Sequence, residues 1–186
     1  MTELTRPHVR EMADDDCEAV AEIRVRGWQY AYVGRVPQPY LDAMSVQEEI
    51  SVRRERFAEG AGRTVALVAE RDGRVVGWGC YGPGRDQDAR DRSAELYALY
   101  VLPEQISTGV GLALMETLTS RAGADGYRSL LLWVLRENAR ARRFYAKAGF
   151  APDGAEAAFE VAGAQVPEVR YAMRLSASEA AGPSLG

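Results

Sequence analysis

The chain has 186 residues, of which only one is histidine, His8, and two are cysteine, Cys17 and Cys80. With so few, and none at the short spacings that hold zinc, no metal site is expected. Two cysteines in separate helix-like and strand-like contexts give no disulfide framework either. No apolar run approaches the roughly 20 residues that cross a bilayer, and the opening MTELTRPHVRE lacks the hydrophobic stretch of a secretory leader. An excess of positive charge is also missing. The 23 basic and 27 acidic side chains leave a net charge of −4 and a pI near 5.2, whereas a protein that neutralises nucleic-acid phosphates needs the opposite sign. A cytoplasmic protein with no nucleic-acid partner and no membrane is expected. The acidic balance is mildly consistent with a cationic partner such as an amine.

What remains is ordinary for one globular domain: 47% hydrophobic and 27% charged residues in a length that can bury a sizeable core. That domain is expected over residues 1–175. The last stretch, 176–186, SASEAAGPSLG, is small and polar and is expected to be disordered. The order along the chain is α/β. His8 to Met12 reads as a short strand, and Asp14 to Asp16 offer N-caps for a helix through Ala19, Val20, Ile23 and Trp28. VGRVPQPY reads as a loop, followed by a helix with Val46, Ile50, Arg53 and Phe57 at helical spacing. Thr64 to Glu70 and Arg74 to Tyr81 are strands around Asp72-Gly73, a strong hairpin signal. A polar loop from Gly82 to Arg92, a strand at Leu130 to Leu135, a helix at Asn138 and a final hairpin ending in Glu168 to Leu175 complete the order.

The most informative stretch is residues 95–118, ELYALYVLPEQISTGVGLALMETL. Apolar and aromatic residues from Tyr97 to Leu102 suit a strand, which Pro103 ends because it has no amide proton. Ser107, Thr108, Gly109 and Gly111 leave little bulk, and Leu112, Leu114, Met115 and Leu118 then follow at helical spacing. Free N–H groups at a helix start, with the dipole behind them, suit a phosphate or pyrophosphate. Glycines at such a start also serve as plain packing devices, so this stretch alone leaves both readings open. It has neither the lysine of a P-loop nor a dinucleotide pattern.

A second stretch, residues 138–150, NARARRFYAKAGF, follows the strand at Leu130 to Leu135. Together the two resemble the GCN5-related N-acetyltransferases, the GNAT superfamily. Its signature is a strand ending V-x-P-E, then [QR]-x-x-G-x-[GA] entering a helix, and later N-x-x-A-x-x-F-Y-x-K-x-G-F. The later pattern stands here as Asn138, Ala141, Phe144, Tyr145, Lys147, Gly149 and Phe150. The resemblance covers roughly residues 7–175. It implies a single-domain GNAT fold, a mixed, mostly antiparallel sheet with splayed central strands flanked by helices, and acetyl-CoA as co-substrate. It implies that the pantetheine arm pairs with the backbone of Leu99, Tyr100 and Val101, near a β-bulge. The pyrophosphate would lie over Ser107, Thr108, Gly109, Val110, Gly111 and Leu112, with Asn138 beside the cofactor arm. Tyr145 matches the tyrosine that protonates the departing CoA thiolate, and its alternative is packing beside Phe144 and Phe150. Glu95 matches a glutamate base, and its alternative is a glutamate at a strand end.

Two positions depart from the pattern. Ile106 stands where Gln or Arg is usual and cannot donate to a phosphate. Ser107 stands in place of Gly, which costs little at negative φ and more at positive φ. A small slide of the loop would bring Gln105 toward the missing donor's role. Strand alternation puts Glu95, Tyr97, Leu99 and Val101 on one face, with Tyr97 as a water relay. Trp28, Tyr30, Tyr32 and Tyr40 fall near the first inter-helix loop, where the resemblance implies an acceptor wall, with core packing the stronger reading for Trp28. Trp78, Tyr81 and Trp133 suit either core or cleft, and Arg170 and Tyr171 on the last strand are further acceptor-facing candidates. Asp86, Asp88 and Asp91 are interleaved with Arg85, Arg90 and Arg92, so their charge nearly cancels. The expected activity is acetyl transfer to a primary amine of a small molecule or peptide by direct attack. The alternative is a non-catalytic acyl-CoA binder or sensor. A homodimer is left open.

Overall fold

Asp72 and Gly73 both adopt positive φ, 52° and 73°, as a two-residue hairpin turn requires. The turn joins β2 (Val65–Arg71) to β3 (Arg74–Pro83), pairing Arg71 with Arg74. The structure is a computed structural model that describes residues 5–59, 62–88 and 92–176. The expected disordered tail lies, beyond Ser176, outside the described residues, as do Arg90 and Asp91.

Around that hairpin the described chain builds a seven-stranded sheet in the order β1-β2-β3-β4-β5-β7-β6. The remaining strands are β1 (His8–Glu11), β4 (Ser93–Val101), β5 (Ser129–Leu135), β6 (Ala151–Val161) and β7 (Ala164–Arg174). All neighbours are antiparallel except β4 and β5. The helices are α1 (Cys17–Ala31), α2 (Gln38–Ala43), α3 (Val46–Ala58), α4 (Val110–Ala124) and α5 (Ala139–Lys147). This is the mixed, mostly antiparallel sheet with flanking helices that the sequence implies.

Glycines decide how close the helices come. A side chain at Gly77 would strike Val110 and Leu114 at 2.8 Å, and one at Gly79 would strike Leu118 at 2.8 Å. Their absence lets α4 lie directly on β3. On the opposite face, Gly27 of α1 leaves room for the ring of Tyr100, 3.0 Å from where its Cβ would be. The main core includes Val68, Leu114, Leu118, Leu130 and Leu132, and a smaller one gathers Trp28, Leu41 and Leu135.

Two features of β4 shape the site. It pairs with β5 only from Ser93 to Glu95, closed by a Ser93–Ser129 hydroxyl contact of 2.8 Å. Beyond Glu95 the strands part, leaving one edge of Leu96 to Val101 without a strand. Against β3 the register shifts, Cys80 facing Ala98 but Tyr81 facing Leu96, so Tyr97 is an extra bulged residue.

The bulge corrects the expected facing. Leu99 and Val101 turn toward α4, where they meet the space at Gly79 and Gly77. Tyr97 covers Gly82, the cross-strand neighbour of Glu95, so Glu95 and Tyr97 lie on the other face with Ala98 and Tyr100. Three smaller differences concern local chemistry. The expected loop at VGRVPQPY holds for residues 33–37, while its last three residues enter α2, in which Pro39 is tolerated because first-turn N–H groups have no helix partner. Buried Leu41, whose carbonyl accepts from Gln29, holds that helix down. Asp16 caps α1 in sequence, but its side chain accepts no helix N–H. Its carboxylate accepts from Ala13 N–H and from Arg10, which hold it below the usual carboxylate range.

Candidate active site

At the start of α4 the chain turns through two left-handed residues, Ser107 at φ 64° and Gly109 at φ 93°. Ser107 therefore takes the costly branch of the substitution, a positive φ that glycine adopts freely. The turn leaves its donors free. The first helical bond is from Ala113 N–H to Gly109 O, and the N–H groups of Ser107, Gly109, Val110, Gly111 and Leu112 have no acceptor among the described residues. Thr108 is the exception, its N–H pointing to Gln105 O at 3.3 Å. The remaining five suit a pyrophosphate by number and by position on the helix dipole.

Arg71 braces this turn from below. It is 5% exposed and donates to Gln105 Oε1 and Thr108 Oγ1 at 2.8 Å, to Thr108 O at 3.1 Å and to Thr5 O at 2.9 Å. Gln105 is thereby turned toward Arg71 and does not slide into the place of Ile106. No carboxylate pairs with Arg71 among the described residues. Sequence reading missed it because it lies more than thirty residues from the loop it holds.

The parted strands open beside three tyrosines. Tyr32 and Tyr100 meet hydroxyl to hydroxyl at 3.1 Å. Burial raises Tyr32 well above the usual phenol range, with Tyr100, Tyr145 and Glu168 adding to the rise. Tyr145, on α5, packs edge-on against Phe144 and Phe150 at ring distances of 5.4 and 6.0 Å. Burial first, then Tyr100, raises its phenol also, and no hydrogen bond holds its hydroxyl among the described residues. Both readings of Tyr145 thus coexist: its ring packs, and its oxygen is free. Asn138 caps α5, its Oδ1 accepting from Ala141 N–H at 3.1 Å. Among the described residues its side-chain N–H groups remain free for a cofactor. Arg142 turns to Tyr171 and to the Arg136 carbonyl.

Two carboxylates share this face of the sheet. Glu95 is 3% exposed and is held by Arg85, whose backbone N–H and guanidinium both donate to it. Tyr97 donates its hydroxyl to Pro83 O at 2.6 Å, so it is not a free relay. Glu168 of β7 faces Leu135, as Glu95 faces Leu131 of the same strand, and residues 131 and 135 alternate onto one face. Burial pushes the Glu168 carboxyl up, with the like charge of Glu95 adding to it, and it has no hydrogen-bond partner among the described residues. Nothing in its local sequence, PEVRY, marked it out.

On the same face lies a cavity of about 850 Å³ whose lining includes Trp28, Trp78, Cys80, Ala98 and Tyr100. Of the other aromatic candidates, Tyr32 and Tyr40 pack on Trp28, Tyr30 is half exposed under Arg140, and Tyr81 is core, bonded to Asp125. Trp133 donates to Asp86, and Arg170 binds Asp86, Asp88 and Asp153, so both anchor the loop after β3. Burial pushes the Cys80 thiol up to about 12. No cluster of metal-ligating side chains occurs among the described residues, and no helix there is long and apolar enough to cross a membrane.

Residues 18–150 match the acetyltransferase (GNAT) family. The chain is similar to the uncharacterized N-acetyltransferase YuaI of Bacillus subtilis, 30% identical over 87% of this chain and 89% of that one. Its fold is similar to that of the PaiA N-acetyltransferase of Thermoplasma acidophilum in complex with coenzyme A (20% identity, 91% of this chain and 99% of that one, TM-score 0.69). It is equally similar to YncA of Salmonella typhimurium with its cofactor acetyl-CoA (22% identity, 98% and 100%, TM-score 0.69).

Proposed function

The chain belongs to the acetyltransferase (GNAT) family, and from that premise we propose that it acetylates a primary amine of a small molecule or peptide by direct attack. It is an N-acetyltransferase with acetyl-CoA as co-substrate. That co-substrate supplies the activated acetyl group as a thioester. The free N–H groups of Ser107, Gly109, Val110, Gly111 and Leu112 would hold its pyrophosphate. The open edge of β4 at Leu99, Tyr100 and Val101 would take the pantetheine arm, beside Asn138. The observation that carries the reading is this continuity: a ring of free donors opens onto an unpaired strand edge that ends beside a free phenol.

Tyr145 donates its proton, or a strong hydrogen bond, to the departing sulfur. A phenol raised above its usual range stays protonated at neutral pH and so remains a donor. An ammonium must lose a proton before it attacks, and Glu168 is the carboxylate best fitted to take it, being unpartnered and raised. Glu95, bound to Arg85, orients that guanidinium and takes the proton only through water. Cys80, the cysteine on the cavity, stays a thiol at neutral pH and is a poor nucleophile, which supports direct attack over an acetyl-cysteine. Two buried free thiols also fit a reducing, cytoplasmic setting. The proposal extends to one domain over residues 1–175 and leaves a homodimer open.

A non-catalytic acyl-CoA binder is the second reading, favoured by Ile106 and by the strained Ser107. Thiol release from acetyl-CoA across a panel of amines separates the two. Release that depends on the amine supports transfer, and binding without release supports the sensor.

A further inference from the structure

The cavity on the α1 and α3 side is lined by four arginines, Arg24, Arg53, Arg56 and Arg85, against two glutamates, Glu11 and Glu59. Glu11 pairs outward with Arg121, and Arg85 is satisfied by Glu95. Arg24 and Arg53 share a single carboxylate, Glu49, at 2.7 and 2.6 Å. Arg56 has no ion pair or hydrogen bond among the described residues. The basic side chains at this spot therefore exceed the acids that face them.

Arg53 is the most deeply buried of them. It is 8% exposed, its Cζ lies 5.1 Å from the centre of the Trp78 ring, and its terminal N–H groups have no acceptor among the described residues. Its Nε is ion-paired with Glu49 Oε1 at 2.6 Å, out of line for a hydrogen bond, and Trp78 Nε1 is a buried donor with no hydrogen-bond partner among the described residues. Buried donors are normally satisfied, so the free indole N–H of Trp78 and the terminal N–H groups of Arg53, both on the cavity lining, mark a place for an acceptor-rich group. Burial, with repulsion from Arg56 and Arg24, lowers the Arg53 guanidinium from its ordinary value, a crowding that an anion relieves.

We propose that Arg53 and Arg56, with Trp78 Nε1, form an anion subsite in the acceptor cleft, so that the amine acetylated here also carries a carboxylate or phosphonate. The inference rests on the acetyltransferase reading and names its substrate class. The cavity reaches β4 at Ala98 and Tyr100, beside the slot, so the amine faces the thioester while the anionic group lies back against α3. A planar guanidinium accepts either oxyanion in bidentate fashion. The acidic net charge of the whole chain favours cationic partners only at long range, and within the cavity the local sign is reversed.

The test is thiol release with matched acceptors: amino acids, their uncharged amides, and the corresponding aminophosphonic acids. The wild type is expected to favour an anionic member by about tenfold or more in kcat/KM, mainly through KM, with a smaller margin at high salt. The better of the carboxylate and phosphonate series identifies the anion. Arg56→Gln, an exposed side chain without partners, is expected to cut that preference several-fold and leave the amides unaffected. Arg53→Lys keeps the charge beside Glu49 but loses the fork, and is expected to cut it further. Equal use of amides and acids, or an unchanged preference in both variants, overturns the inference while leaving the transferase reading intact. If the wild type acetylates no amine, that reading fails by itself. Calorimetric binding of the same amino acids then decides the subsite: binding weakened by Arg56→Gln supports it, and no difference overturns it.

Discussion

Arg71 grips Thr108 twice, through Oγ1 at 2.8 Å and through the carbonyl oxygen at 3.1 Å. A strand two places away in the sheet thus fixes the turn whose N–H groups face outward at the start of α4. The buried cation also sits close beneath them without a carboxylate partner among the described residues. Arg71→Gln is expected to weaken coenzyme A binding at least several-fold, because the turn loses its brace and the site its nearest positive charge. Thermal stabilisation by coenzyme A measures this, and an undiminished shift in the variant would mean that the turn holds its shape alone.

Ser107 pays for its left-handed backbone. A non-glycine residue there costs on the order of 1–2 kcal/mol, partly offset in a glycine variant by greater unfolded-state freedom. Ser107→Gly is expected to bind coenzyme A as tightly as the wild type or more tightly. Gly109→Val, at φ 93°, is expected to bind several-fold more weakly, through backbone strain, since the space around Gly109 is open. Ile106→Arg adds a donor and is expected to strengthen binding. Calorimetry on the three variants checks the order, and a Gly109→Val protein that binds normally would remove the turn from the cofactor site.

Tyr145→Phe removes one hydroxyl and keeps the ring against Phe144 and Phe150. Stability and coenzyme A affinity are expected to change little. Turnover is expected to fall by roughly 10²-fold, the low end of general acid catalysis, with KM near the wild-type value because the interaction forms mainly in the transition state. Full turnover in the variant would leave Tyr145 as packing only.

Glu168 carries a sign that can be measured. Its carboxyl in the fold titrates above the unfolded value of about 4.3. The protonated form's advantage is complete below that unfolded value and is lost as pH rises through the folded one. Glu168→Gln is therefore expected to raise Tm at pH 7 and to leave it unchanged near pH 3. Its rate is expected to fall most on the acid side, where the amine is most protonated, and to recover as pH approaches the amine pKa. Glu95→Gln is expected to lose less. The reverse order of the two variants would return the base to Glu95.

The turn at residues 107–112 is legible in sequence because glycine and proline act on their own backbone. So is the hairpin at Asp72-Gly73. The facing of β4 is not, because the bulge at Tyr97 depends on the register of β3, and one extra residue moves Leu99 and Val101 to the α4 side. Arg71 and Arg53 were hidden for a related reason. Each reads as an ordinary strand or helix residue, and its meaning comes from Thr108 or Trp78, which only the folded sheet brings near. The short helix α2 was hidden by Pro39, since proline usually breaks helices but sits harmlessly in a first turn.

The most direct measurement follows the acetyl group itself. The protein is incubated with acetyl-CoA labelled in the acetyl carbon and with an amine acceptor, and free thiol and N-acetyl product are counted together. Direct transfer predicts one labelled product per thiol released, no label on the protein, and no release without the amine. Coenzyme A binding with no labelled product from any amine, or label trapped on Cys80, would contradict it.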